Sequence, residues 1–358
     1  MANKKDDISI TLYCAKTLSP HIADLGKAAK RILKRKDIED VHDLRVASRR
    51  IRAVLNSFSS YLPKKQYKSW IKDIKTITKS YGQVRDIDVQ LALINDIYSN
   101  VEDRKLRSGL RRVKLRLEQK REKREEKTNK RTQVLLNSSA ILELSEWVIS
   151  TLSEPDVDTN YSSALYQLGY QQIQNRLDEF LFYEVFIFDS QRVEELHAMR
   201  ISAKKLRYSL EVFAELYTHE TDFALDITKQ AQDYLGEIHD CDVWIDYLPN
   251  FMEKEYTRIN EFYGYTRPYR RIRPGIEYLI ENRKNEREVL YQQFLKDWKK
   301  WKMKETWLNL RKVIFLTSLE SQKRPIQESS TKDNSDVVNQ PEDSDENQEP
   351  NSAPPATE

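Results

Sequence analysis

Val41-His42-Asp43-Leu44-Arg45-Val46-Ala47-Ser48-Arg49-Arg50-Ile51-Arg52 recurs 155 residues later as Leu196-His197-Ala198-Met199-Arg200-Ile201-Ser202-Ala203-Lys204-Lys205-Leu206-Arg207. Matching residues continue at Leu55/Leu210 and Phe58/Phe213. In both copies the apolar residues return at helical spacing, so each copy predicts an amphipathic helix. At about 100° per residue, His42, Arg45, Arg49 and Arg52 fall within an arc of about 80°. Leu44, Ile51, Leu55 and Phe58 lie nearly opposite, and Arg50 flanks the histidine from the other side. The second copy places His197, Arg200, Lys204 and Arg207 against Met199, Leu206, Leu210 and Phe213 in the same way, with Lys205 in the place of Arg50. Each helix thus has one face for a core and one that is basic throughout.

A second pair of matching segments follows. Gly82-Gln83-Val84-Arg85-Asp86-Ile87-Asp88-Val89 parallels Gly236-Glu237-Ile238-His239-Asp240-Cys241-Asp242-Val243 at an offset of 154. A weaker third pairs Gly109-Leu110 with Gly275-Ile276, ahead of Arg121 and Arg287. Markers in the same order at nearly equal offset predict an internal duplication. The expected fold is all-α, with two similar bundles of four to five long helices related by a pseudo-twofold axis around a basic central cavity.

Composition agrees with helices. Residues 1–320 hold only 13 Gly and Pro, where ordinary usage would give roughly 38. Sheets with many tight turns and glycine-rich phosphate loops are thereby excluded. The chain of 358 residues has a net charge of only +3, but residues 321–358 carry nine acids and three basic residues, which leaves a net +9 on residues 1–320. A basic body beside an acidic segment points to an anionic partner. Cys14 and Cys241 are too few for a disulfide framework and lack metal-ligand spacing. No continuous apolar stretch marks a signal peptide or a membrane span, so a cytoplasmic protein is expected.

Periodicity predicts helices over 8–36, from Asp40 as an N-cap to about Tyr61, and from Pro63 along Trp70, Ile74, Ile77 and Tyr81. Gly82 reads as a break with a shorter helix from about Asp88. A long, Lys/Arg-rich helix is expected from Asp103, and a linker over 153–160. A second helical series runs from there to about Leu319, so that residues 8–318 form two halves, 8–152 and 160–318. Phe180 to Phe188 favours a strand by propensity but reads as the buried end of a helix. Residues 321–358, rich in Ser, Asn, Gln, Pro and acids and without aromatics, are expected to be disordered.

A charged stripe opposite an apolar one is ordinarily a solvated face. Such faces mix signs to gain i,i+4 pairs, whereas these hold almost no acid and recur in both halves. Like charges crowded on one face repel unless an anion neutralises them. The two basic arcs also lack exposed aromatics, which stacking on nucleobases requires. Nucleic acid is therefore not the expected partner, although a helical nucleic-acid binder remains the first alternative.

The strings HDLRVASRRIRAVLNSF and LHAMRISAKKLRYSLEVF, each followed by G-x-x-x-D-x-D-V, resemble the CHAD family (conserved histidine α-helical domain). The resemblance spans roughly residues 8–318. It implies two helical bundles whose basic helices line a cavity that binds inorganic polyphosphate, an association with polyphosphate granules, and a binding module rather than an enzyme. The implied ligand contacts are His42, Arg45, Arg49, Arg50, Arg52, His197, Arg200, Lys204, Lys205 and Arg207. Arg85, Asp86, Asp88, Arg121, His239, Asp240, Asp242 and Arg287 are supporting candidates. No E-x-E-x-K motif of a fused triphosphate-tunnel enzyme occurs, so a standalone form is expected. Where the first half has Arg85 the second has His239, which weakens the expectation of an anion contact there.

The histidines, crowded by cations, are biased toward the neutral form and suit hydrogen bonding to phosphate or to a neighbouring helix. Paired carboxylates at Asp86/Asp88 and Asp240/Asp242 could hold Mg²⁺, but after a glycine break they read as helix caps or as partners that orient the arginines. No metal and no cofactor is expected. The second alternative is a metal-dependent enzyme that processes polyphosphate or triphosphate.

Overall fold

The computed structural model describes residues 7–35, 38–136, 138–153 and 161–323. Among them every regular element is helical: α1 (Ile8–Arg35), α2 (Ile38–Ser57), α3 (Lys64–Asn100), α4 (Arg104–Leu136), α5 (Ser139–Leu152), α6 (Ser163–Leu181), α7 (Val193–Phe213), α8 (Asp222–Tyr263), α9 (Tyr269–Met303) and α10 (Thr306–Lys323). Local chemistry sets several ends. Asp103 accepts the Lys105 N–H at 2.8 Å and starts α4. Gly264, at φ 72°, closes α8 by donating its N–H to the Asn260 carbonyl.

Several expectations are corrected. Neither Gly82 nor Gly236 breaks a helix: α3 runs on for 37 residues and α8 for 42. Asp86, Asp88, Asp240 and Asp242 consequently lie inside helices and cap nothing. Isolated glycine costs a helix only about 1 kcal/mol, which packing on both sides outweighs. Asp40 is not an N-cap either. It sits in the first turn of α2, where it and Asp43 bind Arg31 of α1, the latter at 2.6 Å. Residues 321–323 belong to α10, and Ser321 is buried. The rest of the acidic segment, and all of the expected linker but Ser153, lie outside the described residues.

The apolar run at Phe180 ends α6 and continues as a 3-10 turn over Phe182–Phe186. Phe180 and Ile187 are buried, but Phe182, Val185 and Phe188 are exposed, so the segment is not the fully buried end that was expected. A run that is apolar on every face can press only one of them against the core.

Residues up to Lys323 form one compact unit, and its apolar packing does not divide at the expected linker. One core joins α1, α2 and the first part of α3 to α5–α7, the start of α8, the end of α9 and α10. A second joins Ile87–Val101, Leu110–Leu117, Trp244–Ile259 and Ile272–Leu279 of the four longest helices. Each core thus draws on both sequence halves. Leu44, Ile51, Leu55 and Phe58, with Met199, Leu206, Leu210 and Phe213, are all buried in the first core. The Gly82–Asp88 and Gly236–Asp242 segments lie where α3 and α8 pass from one core to the other, and there a polar layer forms.

Candidate functional site

α2 and α7 pack on each other through their apolar faces. Phe58 and Phe213 meet at 5.6 Å between ring centroids, and Tyr13 stacks on Phe213. Their basic residues also come within electrostatic reach of one another. The Lys204 ammonium records the result: burial, then Arg200, Arg49, Arg52 and Arg45, push its pKa down to about 8. Four guanidiniums from two helices thus act on one amine. The Arg49 Nε is buried with no hydrogen-bond partner. A donor left unsatisfied in a crowd of cations is suited to an anionic acceptor.

The glycine of each second marker lies against the first arginine of the neighbouring helix, closely at Gly82 and at ordinary contact distance at Gly236. A Cβ at Gly82 would lie 2.9 Å from an Arg45 terminal nitrogen, and one at Gly236 would lie 3.7 Å from the Arg200 Nε. The following aspartates then face the same arginines. Asp86 approaches Arg45 at 3.5 Å, and Asp240 lies in the field of Arg200. Burial raises the Asp240 pKa, and the Asp86 charge raises it further, which brings the two carboxylates to one locality. The second aspartates have a different role. Asp88, buried, takes the Arg121 Nε at 2.6 Å, and Asp242 takes Arg287, which also donates to the Ser190 carbonyl at 2.8 Å. Arg121 and Arg287, supporting candidates in the sequence, are held in ion pairs with these aspartates.

Both motif histidines are kept neutral. Burial and then Arg85 lower the His42 pKa, while burial, Arg200 and Lys204 lower that of His197. His239 is depressed to about 4, by burial and then by Arg200, His197 and Lys204. The His197 and His239 rings share a hydrogen bond between their Nδ1 atoms at 3.0 Å. One ring must donate and the other accept, so each is fixed by its neighbour. Arg85 adds a charge near His42, whereas His239 at the matching place adds only a hydrogen-bonding ring.

Three expected contacts are engaged elsewhere. Arg50 pairs with Glu211 at 3.7 Å, Arg207 with the same Glu211 at 2.8 Å, and Lys205 with Glu179. The Arg207–Glu211 pair follows i,i+4 spacing within α7. Glu211 opposite Arg50 and Glu179 opposite Lys205 come from other helices and were not legible in the sequence. The convergent set is thus Arg45, Arg49, Arg52, Arg200 and Lys204, with His42 and His197 beside it. Asp86 and Asp240 are the acids against it, which leaves an excess of positive charge. Among the described residues no three His, Cys, Asp or Glu side chains converge as metal ligands, and no helix is long and apolar enough to cross a membrane.

Two solved structures share this architecture. The CHAD domain from the plant Ricinus communis superposes with a TM-score of 0.52 at 20% identity, over 75% of this chain and 91% of that one. PptA from Streptomyces chartreusis gives 0.53 at 14% identity, over 80% and 98%. No curated protein matches the sequence. The family model for the CHAD domain matches residues 16–249, which include both histidine motifs and both D-x-D segments. With that match over well more than half its length, an all-helical fold and paired motifs facing one another, the chain belongs to the CHAD domain family.

Proposed function

We propose that the protein binds inorganic polyphosphate at the junction of α2 and α7, holding it without reacting it. The observation that carries this reading is the under-neutralised cluster of Arg45, Arg49, Arg52, Arg200 and Lys204, where burial and then the four guanidiniums depress the lysine to about 8. A featureless polyanion needs closely spaced charge and many donors, which arginine supplies in bidentate form. The aromatic ring that the two basic faces carry is Tyr208, part-buried and near Arg45. Three of the four D-x-D carboxylates pair with arginines, Asp86 with Arg45 and Asp88 and Asp242 with Arg121 and Arg287.

Competition tests the ligand. Long-chain polyphosphate is bound first, and duplex DNA is added at equal phosphate concentration and salt. Polyphosphate is expected to stay bound, and displacement by duplex overturns the reading. Its chain length on a gel is expected to be unchanged after incubation with Mg²⁺.

Lys204 gives a pH dependence with a definite sign. In the free protein it titrates near 8, and a bound polyanion returns it toward its ordinary value near 10. Affinity is therefore full below pH 8 and falls above it, by about tenfold at pH 9. Folding stability without ligand runs the other way. The folded pKa lies below the unfolded one, so the cost of the charged amine is present below pH 8 and is relieved between 8 and 10. Opposite slopes in a binding titration and a melting series are expected, and Lys204→Arg flattens both. Parallel slopes contradict this assignment.

A further inference from the structure

We propose that the basic track along α4, bounded by α3 and α9 at its start and by α8 farther on, binds single-stranded nucleic acid, separately from the α2–α7 site. Three adjoining hollows run along α4. The first, about 580 Å³, is lined by Arg104, Arg107, Arg111, Arg112 and Tyr98. The next, about 570 Å³, shares Arg112 and adds Arg116, Arg258, Phe262 and Tyr263, with Glu261 as its single acid. The last, about 860 Å³, shares Arg116 and Arg258 and adds Lys120, Lys123, Lys254 and Tyr247, with no acid in its lining. From Arg104 to Lys123 the helix rises about 29 Å, so the track is long and narrow.

The cleft is built, not an accident of surface lysines. Glu255 is 0% exposed and binds three of the arginines, Arg116 at 2.7 Å, Arg258 at 2.5 Å and Arg112 at 3.6 Å. One buried carboxylate thus fixes three guanidiniums along the wall and leaves them in net positive excess. Among the described residues, Arg104, Arg107 and Arg111 make no ion pair with an acid. Arg107 lies over the Tyr98 ring at 4.4 Å, and its Nε is buried without a hydrogen-bond partner. Hydrogen bonds from Arg111 and Arg107 lower the Tyr98 pKa.

Aromatic rings select among polyanions. Phe262 is 79% exposed, Tyr263 51% and Tyr265 53%, clustered in the turn Phe262-Tyr263-Gly264-Tyr265-Thr266-Arg267. Exposure of three neighbouring rings costs solvation and gains nothing from polyphosphate, which has no flat apolar face. Each hollow pairs its cations with at least one ring: Tyr98 in the first, Phe262 and Tyr263 in the second, and Tyr247, with Lys120 above it at 5.8 Å, in the third. A positive groove interleaved with rings is what unpaired bases on a phosphodiester backbone need. The basic faces of α2 and α7 offer only the part-buried Tyr208.

The test uses the full chain and fluorescent oligo(U) of about 15 nucleotides, within the usual range of single-strand site sizes. The wild type is expected to bind it at about 0.1 M salt, where long-range attraction is already screened. Phe262→Ala with Tyr263→Ala is expected to weaken oligo(U) about tenfold or more while leaving polyphosphate affinity and helicity unchanged. Arg104→Ala with Arg111→Ala weakens oligo(U) similarly and flattens its salt dependence. Arg45→Ala with Arg200→Ala leaves oligo(U) within about twofold, because that pair lies outside the cleft. The proposal is overturned by a wild type that does not bind oligo(U), by an aromatic variant that binds it undiminished, or by equal losses for oligo(U) and polyphosphate. Tighter binding to vesicles of anionic phospholipid than to oligo(U) also overturns it. None of these outcomes decides whether polyphosphate occupies the α2–α7 site, which the duplex competition addresses on its own.

Discussion

Arg45→Ala combined with Arg200→Ala is expected to lower polyphosphate affinity about 100-fold, each lost charge-assisted contact contributing about 1.5–3 kcal/mol before the remaining cations repel one another less. The two arginines occupy matching places against Gly82 and Gly236, so the pair removes the first cation of each motif. Stability is expected to hold. Leu44, Ile51, Leu55 and Phe58 are buried on the other side of α2, and Met199, Leu206, Leu210 and Phe213 on that of α7. The aspartates left behind are tolerable: the Asp86 side chain is 71% exposed, and Asp240 loses only one of the charges acting on it. Calorimetric titration at two salt concentrations, with circular dichroism, checks both halves of the expectation. Affinity close to that of the wild type would remove the α2–α7 faces from the site.

Gly109→Ala is expected to destabilise the fold by about 3 kcal/mol, at the upper end of overpacking costs. Gly109 of α4 and Gly275 of α9 are where those helices touch backbone to backbone. An added Cβ at Gly109 would meet the Ile272 carbonyl oxygen and lie 2.8 Å from the Gly275 Cα. One at Gly275 would meet the Leu106 carbonyl oxygen and lie 2.9 Å from the Gly109 Cα. Backbone cannot swing aside as a side chain can, so the helices must separate and loosen Leu110, Val113, Ile276 and Leu279 between them. Alanine's better helix propensity, about 1 kcal/mol, offsets part of this. The melting midpoint is expected to fall by about 5 °C for a unit of this size. Gly26→Ala is the control. Nothing lies within 4 Å of its added Cβ, so it should raise the midpoint slightly. Equal midpoints for the two variants would contradict the close crossing.

The histidine motifs were legible because a helical face is a local property. His42, Arg45, Arg49 and Arg52 share an arc through the 3.6-residue turn alone, and recurrence of that arc 155 residues later marked it as more than a solvated surface. The same local reasoning misled at Gly82 and Gly236. A glycine followed by acids looks like a break and a cap, whereas here each glycine lies against an arginine of the neighbouring helix. The weakest repeat, Gly109 with Gly275, proved to be a direct contact between α4 and α9.

The sequence by itself determined an all-helical chain with two one-signed faces and the residues on them. Only the tertiary structure decided that these faces meet, that Glu211 faces Arg50 and Glu179 faces Lys205, and that Glu255 gathers Arg112, Arg116 and Arg258 into a second basic wall. The reason is physical. Periodicity follows from backbone geometry within a few residues, whereas electrostatic neutralisation depends on distances that folding sets between residues far apart, such as the 139 positions between Arg116 and Glu255.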